Sequence, residues 1–96
     1  MARSRILVAY DISSDARRTA VFQLLNDFGD RLQYSVFLCE VNDREAIDLR
    51  CRLSEAIHHD EDSVVLVGLG PAAHDVAEKI DTLGKPRLLK ERVVVV

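Results

Sequence analysis

Asp11 closes a short apolar run, Arg5 to Tyr10, and stands just before residues that open a helix. If the run is a β-strand, this carboxylate lies partly exposed at the rim of a sheet. Magnesium is often held by only one or two carboxylates together with water and substrate phosphate oxygens. One aspartate per chain is then enough if two copies meet across a symmetry axis. We predict Asp11 as a metal ligand; from position alone the alternative is a turn or helix-capping aspartate.

Two arginines, Arg17 and Arg18, fall in the first turns of the following helix, where the macrodipole already presents positive charge. Their placement opposes local electrostatic preference, and such conflicts tend to mark function. A helix N-terminus binds phosphate, and a guanidinium can grip a phosphate through two parallel hydrogen bonds. We predict a phosphate site here, with solvated surface arginines as the alternative. Arg31, just before the next strand, either reaches the same rim or faces solvent.

The first half of the chain is predicted to form a strand, a helix and a second strand. The apolar run that ends at Tyr10 lacks alternation, which favours a central or fully covered strand. Ser13 to Asp15 supplies N-cap chemistry for a helix with apolar residues at positions 21, 24, 25 and 28, and Gly29 is its predicted stop. Leu32 to Val41 is one long strand, or two short ones split by a bulge.

The second half begins with a capping box, in which Asn42 precedes Glu45 by three residues. It opens a helix whose inner face carries apolar residues at positions 46, 49, 53, 56 and 57. Ser63 to Leu69 is the most apolar run and is predicted as a central strand. A short helix is expected around Val76 to Leu83.

This order of elements predicts an α+β fold, a ferredoxin-like sandwich with two helices on one face of an antiparallel sheet. We expect a single domain over residues 1–96, with a core at about 5–69 and a tail at about 70–96. The tail ends in four valines, and an unpaired strand so apolar needs a cover. We therefore predict a C-terminal strand added at a sheet edge or at a dimer interface, and a homodimer.

Composition narrows the functional class. The 96 residues carry a formal net charge of −3, so a generic polycation that coats nucleic acid is excluded and any such contact needs a local arginine cluster. No apolar run is long enough to cross a bilayer, and the N-terminal apolar stretch is too short for a signal peptide, so we expect a cytoplasmic protein with no membrane contact. Cys39 and Cys51 form no C-x-x-C pair, and both are expected as buried, reduced thiols.

Three other patterns contain residue types found in functional sites, but we interpret each of them as ordinary structure. The tract His58 to Asp62 has metal-binding residue types, but consecutive residues at a helix end point in different directions, so we expect a solvated turn. Gly68 to Ala73 fits a dinucleotide fingerprint, yet Pro71 removes a phosphate-facing N–H and no room remains for a doubly wound sheet, so we expect a turn. Nothing in their spacing orients His74 as a base onto Ser35 or Cys39.

Three segments resemble the CRISPR-associated protein 2 family, the small CRISPR adaptation proteins also called CRISPR-associated endoribonucleases. They are L-V-A-Y-D-I-S from Leu7 with the arginines that follow it, G-D-R-L-Q-Y-S-V-F-L-C from Gly29, and D-S-V from Asp62. Together they span residues 5 to 69 in order. The segment from Val65 to Gly84 is less typical of the family.

The resemblance implies a ferredoxin-like homodimer in which the first-strand aspartates flank a divalent metal, Mg²⁺ or Mn²⁺, at the interface. It implies metal-dependent cleavage of RNA or DNA with Asp11 as the catalytic metal ligand, and a partner, the CRISPR adaptation integrase (CRISPR-associated protein 1), in spacer acquisition. The alternative is a non-catalytic dimeric scaffold that holds DNA for that integrase. The residues that it implies for binding the nucleic-acid backbone are Tyr10, Arg17, Arg18, Arg31, Ser35 and Phe37.

A dimer would carry a formal charge of −6, twice −3, which is acidic for a protein that binds nucleic acid. Binding must then be focused by local cations and depend strongly on salt. Besides the three arginines already named, the candidates are Arg50, Arg52, Lys85, Arg87, Lys90 and Arg92.

Overall fold

The computed structural model describes residues 2–84, 88–89 and 92–93. The elements follow in the order β1 (Ser4–Asp11), α1 (Asp15–Asn26), β2 (Gly29–Gln33), β3 (Val36–Val41), α2 (Asp43–Ala56), β4 (Ser63–Pro71), a 3₁₀ turn (Val76–Glu78), β5 (Leu88–Leu89) and β6 (Arg92–Val93).

The first four strands form one antiparallel sheet in the order β2-β3-β1-β4. Alternate residues of β1 point to opposite faces of the sheet, and Ile6, Val8 and Tyr10 face a core that includes Leu25 of α1 and Leu49 of α2. Both helices therefore cover the same face. The predicted ferredoxin-like α+β fold is confirmed, with β1 in a central position. We call the other side of the sheet the open face.

Both helices begin at the capping residues that the sequence indicates. The Ser14 side chain accepts a hydrogen bond from the backbone N–H of Arg17, which satisfies one of the free donors of the first turn of α1. At α2, Asn42 Oδ1 accepts from the Glu45 N–H at 2.8 Å, and Glu45 Oε1 accepts from the Asn42 N–H at 2.9 Å. The capping box is thus formed in full.

The segment Leu32 to Val41, predicted as one long strand or as two short ones split by a bulge, instead contains the end of β2, a turn and the whole of β3. β2 starts at Gly29, and Tyr34 and Ser35 form the two-residue turn between β2 and β3. Gly29 therefore begins a strand and does not cap α1. A Cβ at this position would lie 2.2 Å from the backbone oxygen of Leu38, so the close approach of the two strands requires glycine.

The strand Ser63–Pro71 is at the edge of the sheet, and the prediction of a central strand was wrong. β4 pairs only with β1 among the described strands. Its Val64 and Leu66 pack against the core, whereas Val65 and Val67 are 53% and 43% exposed. β4 is apolar along its length because alternate side chains enter the core and the side chains between them lie on the apolar open face.

The segment after β4 crosses the open face. Val76 is buried against Leu38, with Leu69 and Ile80 packed beside them, and the His74 carbonyl accepts a hydrogen bond of 2.9 Å from Arg5. Only a single 3₁₀ turn forms here, instead of the expected longer helix. β5 and β6 pair with each other in a separate two-stranded sheet. The predicted C-terminal strand includes Val94 to Val96, which lie outside the described residues.

Candidate functional site

Asp11 is exposed at the last position of β1, opposite Ser63 of β4. Since side chains alternate along a strand, and Tyr10 enters the core, Asp11 belongs to the open face together with Leu7 and Ala9. A carboxylate offers the hard oxygen ligands that Mg²⁺ and Mn²⁺ prefer. Among the described residues no cluster of three or more metal-ligand side chains forms, so a cation on Asp11 would need substrate phosphate, water or a second copy to complete its ligands.

Apolar residues occupy the open face next to Asp11. The pairing register places Ala9 between Val36 and Val65, and Leu7 beside Val67. Paired residues of an antiparallel sheet lie on the same face. The result is an apolar patch, partly exposed, that ends at an acidic residue.

Arg17 forms a cluster of hydrogen bonds with Asp62. Asp62 belongs to the tract His58 to Asp62, which was predicted to be a solvated turn. Arg17 Nε donates to Asp62 Oδ2 at 2.6 Å, and Arg17 Nη2 donates to Asp62 Oδ1 and to Glu61 Oε1, each at 3.1 Å. Asp62 also accepts from the backbone N–H groups of Ser13 at 3.1 Å and His58 at 2.8 Å. The Asp62 side chain is fully buried.

This cluster joins the loop after β1 to the loop before β4. The hydrogen bond from Arg17, helped by the N–H groups of His58 and Ser13, holds the pKa of Asp62 well below its usual range. The hydrogen bond with Asp62 in turn raises the pKa of Arg17. The charge of Arg17 is therefore compensated within the chain, and its guanidinium stabilises the rim of the sheet. His58 and His59 are exposed, as a turn requires.

A cleft of about 180 Å³ lies on the other side of the rim, between α1 and the β2–β3 hairpin. We call it the hairpin cleft. The residues that line it are Tyr10, Arg18, Thr19, Phe22, Arg31 and Tyr34.

Arg31 is held in the hairpin cleft by aromatic rings and carbonyl groups. Its guanidinium carbon lies 5.1 Å from the centroid of Phe22 and 5.1 Å from that of Tyr34. Nη2 donates to the Tyr34 carbonyl at 3.0 Å, and Nε donates to that of Gln33 at 3.4 Å. Within the part of the chain that the structure describes, no carboxylate forms an ion pair with Arg31. Its charge is fixed in position and is not paired with a carboxylate of the described residues.

Arg18 and Tyr10 complete the polar lining of the hairpin cleft. Arg18 Nη1 donates to the Ile12 carbonyl at 2.6 Å, and Nη2 pairs with Asp15. Tyr10 is 6% exposed, and its burial raises the pKa of its hydroxyl, so the group remains a neutral donor and acceptor. The hairpin cleft thus presents two guanidinium groups and a phenol.

The remaining predicted site residues are placed differently. Phe37 is fully buried, stacked on Tyr10 with centroids 6.4 Å apart and edge-on to Phe22 at 5.7 Å, so it supports the hairpin cleft from inside. Ser35 is in the hairpin turn, where its carbonyl accepts from the Tyr10 N–H at 3.0 Å. Arg50 and Arg52 lie on α2, where Arg52 pairs with Asp48. Lys85, Arg87 and Lys90 lie outside the described residues.

Sequence reasoning missed Asp62 as an anchor and Thr19, Phe22 and Tyr34 as cleft residues. Phe22 stands one position after Val21, the first residue of the apolar stripe of α1, and shows no separate signal. Tyr34 is 69% exposed, but within an apolar run it resembles a strand residue. Only the turn at Tyr34 and Ser35 brings it beside Arg31.

The two cysteines differ, although both were expected to be buried. Cys39 is buried in β3, and burial raises the pKa of its thiol to about 12, so it is not a nucleophile at neutral pH. Cys51 is exposed on α2, so the expectation for it was wrong. Gly68 and Gly70 lie within β4 and not in a turn, and no phosphate-binding helix follows them in the described segment.

No group of three or more His, Cys, Asp or Glu side chains is placed to hold a metal ion among residues 2–84 and the short strands beyond them. No helix in the same part of the chain has the length and apolarity to span a bilayer.

Comparison with known proteins gives consistent matches. Residues 4–75 match the family described as CRISPR associated protein Cas2. The CRISPR-associated endoribonuclease Cas2 of Geobacter sulfurreducens is 34% identical over 91 residues, which is 93% of this chain and 95% of that protein. The CRISPR-associated endonuclease Cas2 2 of Thermus thermophilus is 33% identical over 84 residues, 88% of this chain and 86% of that protein.

A solved structure agrees with these matches. The crystal structure of Streptococcus pyogenes Cas2 at pH 6.5 superposes with a TM-score of 0.73 at 33% identity, and the match covers 83% of this chain and 99% of that one.

Proposed function

Because the chain belongs to the family of CRISPR-associated protein Cas2, we propose that it acts in CRISPR adaptation as a metal-dependent endonuclease on RNA or DNA. Asp11 is the proposed ligand of Mg²⁺ or Mn²⁺ and the catalytic residue. The observation that supports this role is the exposed carboxylate of Asp11 at the end of an apolar face, opposite Ser63. Relatives of this chain are named endoribonucleases or endonucleases.

The residues of the chain have separable tasks in this mechanism. Asp11 would hold the cation at the open face, and Arg18 and Arg31, which line the hairpin cleft on the helix side of the sheet, would bind backbone phosphates of the same strand away from the scissile bond. A divalent cation bound on Asp11 would polarise a phosphoryl oxygen or lower the pKa of a water molecule. Arg17 is occupied by Asp62 and keeps the loop after Asp11 in place.

A homodimer would complete the site. The partly exposed patch of Leu7, Ala9, Val36, Val65 and Val67 is an apolar surface that a second copy would bury. A two-fold axis near Asp11 would bring two carboxylates together, and a cation between them would relieve their repulsion. We therefore propose the open face as the interface between two copies.

The family also implies that the dimer binds the CRISPR adaptation integrase in spacer acquisition, and we propose that partner here. We further propose a cytoplasmic location, because two free cysteines are ordinary in a reducing compartment.

The test is cleavage by the Asp11→Ala protein. Labelled single-stranded RNA and duplex DNA are incubated with Mg²⁺, with Mn²⁺ or with EDTA. We expect the variant to lose metal-dependent cleavage by about a hundredfold or more, as removal of an electrostatic catalytic group does. Asp60→Ala, which removes an exposed carboxylate from the α2–β4 turn, is the matched control and should cleave normally. An Asp11→Ala protein that cleaves as fast as wild type would refute the assignment.

A second candidate function is a non-catalytic scaffold that holds DNA for the integrase. It is favoured by the single carboxylate that one chain offers at this place and by the absence of a metal-type cluster among the described residues. Retention of spacer integration by the Asp11→Ala protein together with loss of cleavage would assign the cellular role to the scaffold.

A further inference from the structure

We propose that the hairpin cleft binds one unpaired nucleotide, with the phosphate on Arg31 and Arg18 and the base stacked on Tyr34. This inference extends the proposed nucleic-acid function, because it adds a nucleotide-binding site on the helix side of the sheet, separate from Asp11. The juxtaposition that carries it is the fixed guanidinium of Arg31, which pairs with no carboxylate of residues 2–84, beside the exposed ring of Tyr34.

The positive charge of Arg31 supports the binding of a phosphate in the hairpin cleft. Arg17 shows what an arginine does here when its task is structural, since it binds a buried aspartate. Arg31 donates two hydrogen bonds to backbone carbonyls and contacts two aromatic rings. None of the described carboxylates forms an ion pair with it. A guanidinium held in this way has little conformational entropy left to lose on binding an anion. Arg18 lines the same cleft; its Nη2 pairs with the exposed carboxylate of Asp15, so a bound phosphate would compete with Asp15 for this guanidinium.

The exposed ring of Tyr34 supports the stacking of a base. The residue is 69% exposed although its side chain is aromatic, and Arg31 contacts its ring. A nucleobase stacks on such a ring whatever its identity, because every base has a π-face. The cationic neighbour beneath the ring and the anchored turn keep Tyr34 in place for stacking.

The size and the lining of the hairpin cleft are suited to one nucleotide. The cleft, of about 180 Å³, has room for a single base or for a phosphate with its sugar. Thr19 and Tyr10, whose hydroxyl groups can donate and accept hydrogen bonds, are among the residues that line the cleft. The bases of a duplex are paired and stacked on each other, so the ligand must be unpaired.

The position of the cleft gives it a role beside Asp11. Tyr10 and Asp11 are consecutive and point to opposite faces of β1. A strand that passes Asp11 on the open face therefore reaches the hairpin cleft by bending round the end of the sheet.

The test is a titration of AMP, ribose 5-phosphate and inorganic phosphate into the full chain in EDTA, followed by NMR chemical shifts. We expect AMP to bind about tenfold more tightly than ribose 5-phosphate, since stacking on an aromatic side chain adds affinity of this order. Tyr34→Ala should remove that preference, and Arg31→Gln should weaken binding of all three. Arg44→Ala, an exposed arginine on α2, should change nothing.

Equal affinity for AMP and ribose 5-phosphate, or an AMP affinity that Tyr34→Ala leaves unchanged, would overturn the proposal. The titration needs no metal and no cleavage, so its result is independent of the role of Asp11. Asp11→Ala should bind AMP as wild type does. Failure of AMP binding in a protein that still cleaves would refute this inference alone, and AMP binding in a protein that does not cleave would refute the nuclease alone.

Discussion

Arg17 and Arg31 lie at the same end of the molecule and differ in the groups that contact their guanidinium. Arg17 binds the buried carboxylate of Asp62, which also fixes the backbone N–H groups of two loops. Arg31 is held by rings and carbonyls and faces a cleft. A compensated charge contributes to architecture, whereas a positioned charge without a carboxylate partner remains available to an anion. The difference separates arginines that the sequence presents alike.

The largest effect is expected from Asp62→Asn. The variant keeps the shape of the side chain but leaves only the exposed Glu61 as a counter-charge for Arg17, and it weakens the hydrogen bonds that join the two loops. We expect the melting temperature to fall by roughly 5 °C or more. Asp60→Asn, in the same turn but exposed, is the control and should melt within about 1 °C of wild type. Equal melting of the two variants would show that the Arg17–Asp62 pair is not structural.

The second effect is on the pH dependence of stability. The folded chain lowers the pKa of Asp62, so this group contributes stability that is fully present above the unfolded carboxyl pKa of about 4 and is lost as the pH falls below it. We expect the free energy of unfolding from urea titrations to decrease below pH about 4, and less steeply in Asp62→Asn. Glu45, whose pKa is lowered by the Asn42 N–H and by Arg3, keeps part of the decrease. Identical slopes for the two proteins would contradict this account.

The smallest effect on stability is expected from Arg31→Ala. It removes a guanidinium from two rings at an exposed position, which costs about 1 kcal/mol. Binding to single-stranded RNA should nevertheless weaken about tenfold, and the slope of log affinity against log salt should fall by about one unit. Filter binding at several salt concentrations measures both, with Arg44→Ala as control. A large stability loss without a binding loss would place Arg31 in the same class as Arg17.

Much of the fold was predictable because its signals are local. The caps at Ser14 and Asn42 and the apolar stripe of α2 each depend on residues within a few positions of one another. The hairpin turn was not predictable, since Tyr34-Ser35 lacks the glycine or asparagine that two-residue hairpin turns favour and a single serine is a weak turn signal. The edge position of β4 was missed for a different reason: an apolar run is equally compatible with burial by helices and with an apolar open face.

For the site, the sequence by itself determined that Asp11 ends the first strand and that arginines cluster near it, because both follow from order along the chain. The tertiary structure alone decided which arginine is neutralised, since Asp62 stands 45 residues from Arg17 and only folding brings them together. It likewise made the hairpin cleft, because Arg31 meets Phe22 only when β2 packs beside α1. Contacts of this kind depend on the distance between residues in space, which the spacing along a sequence does not encode.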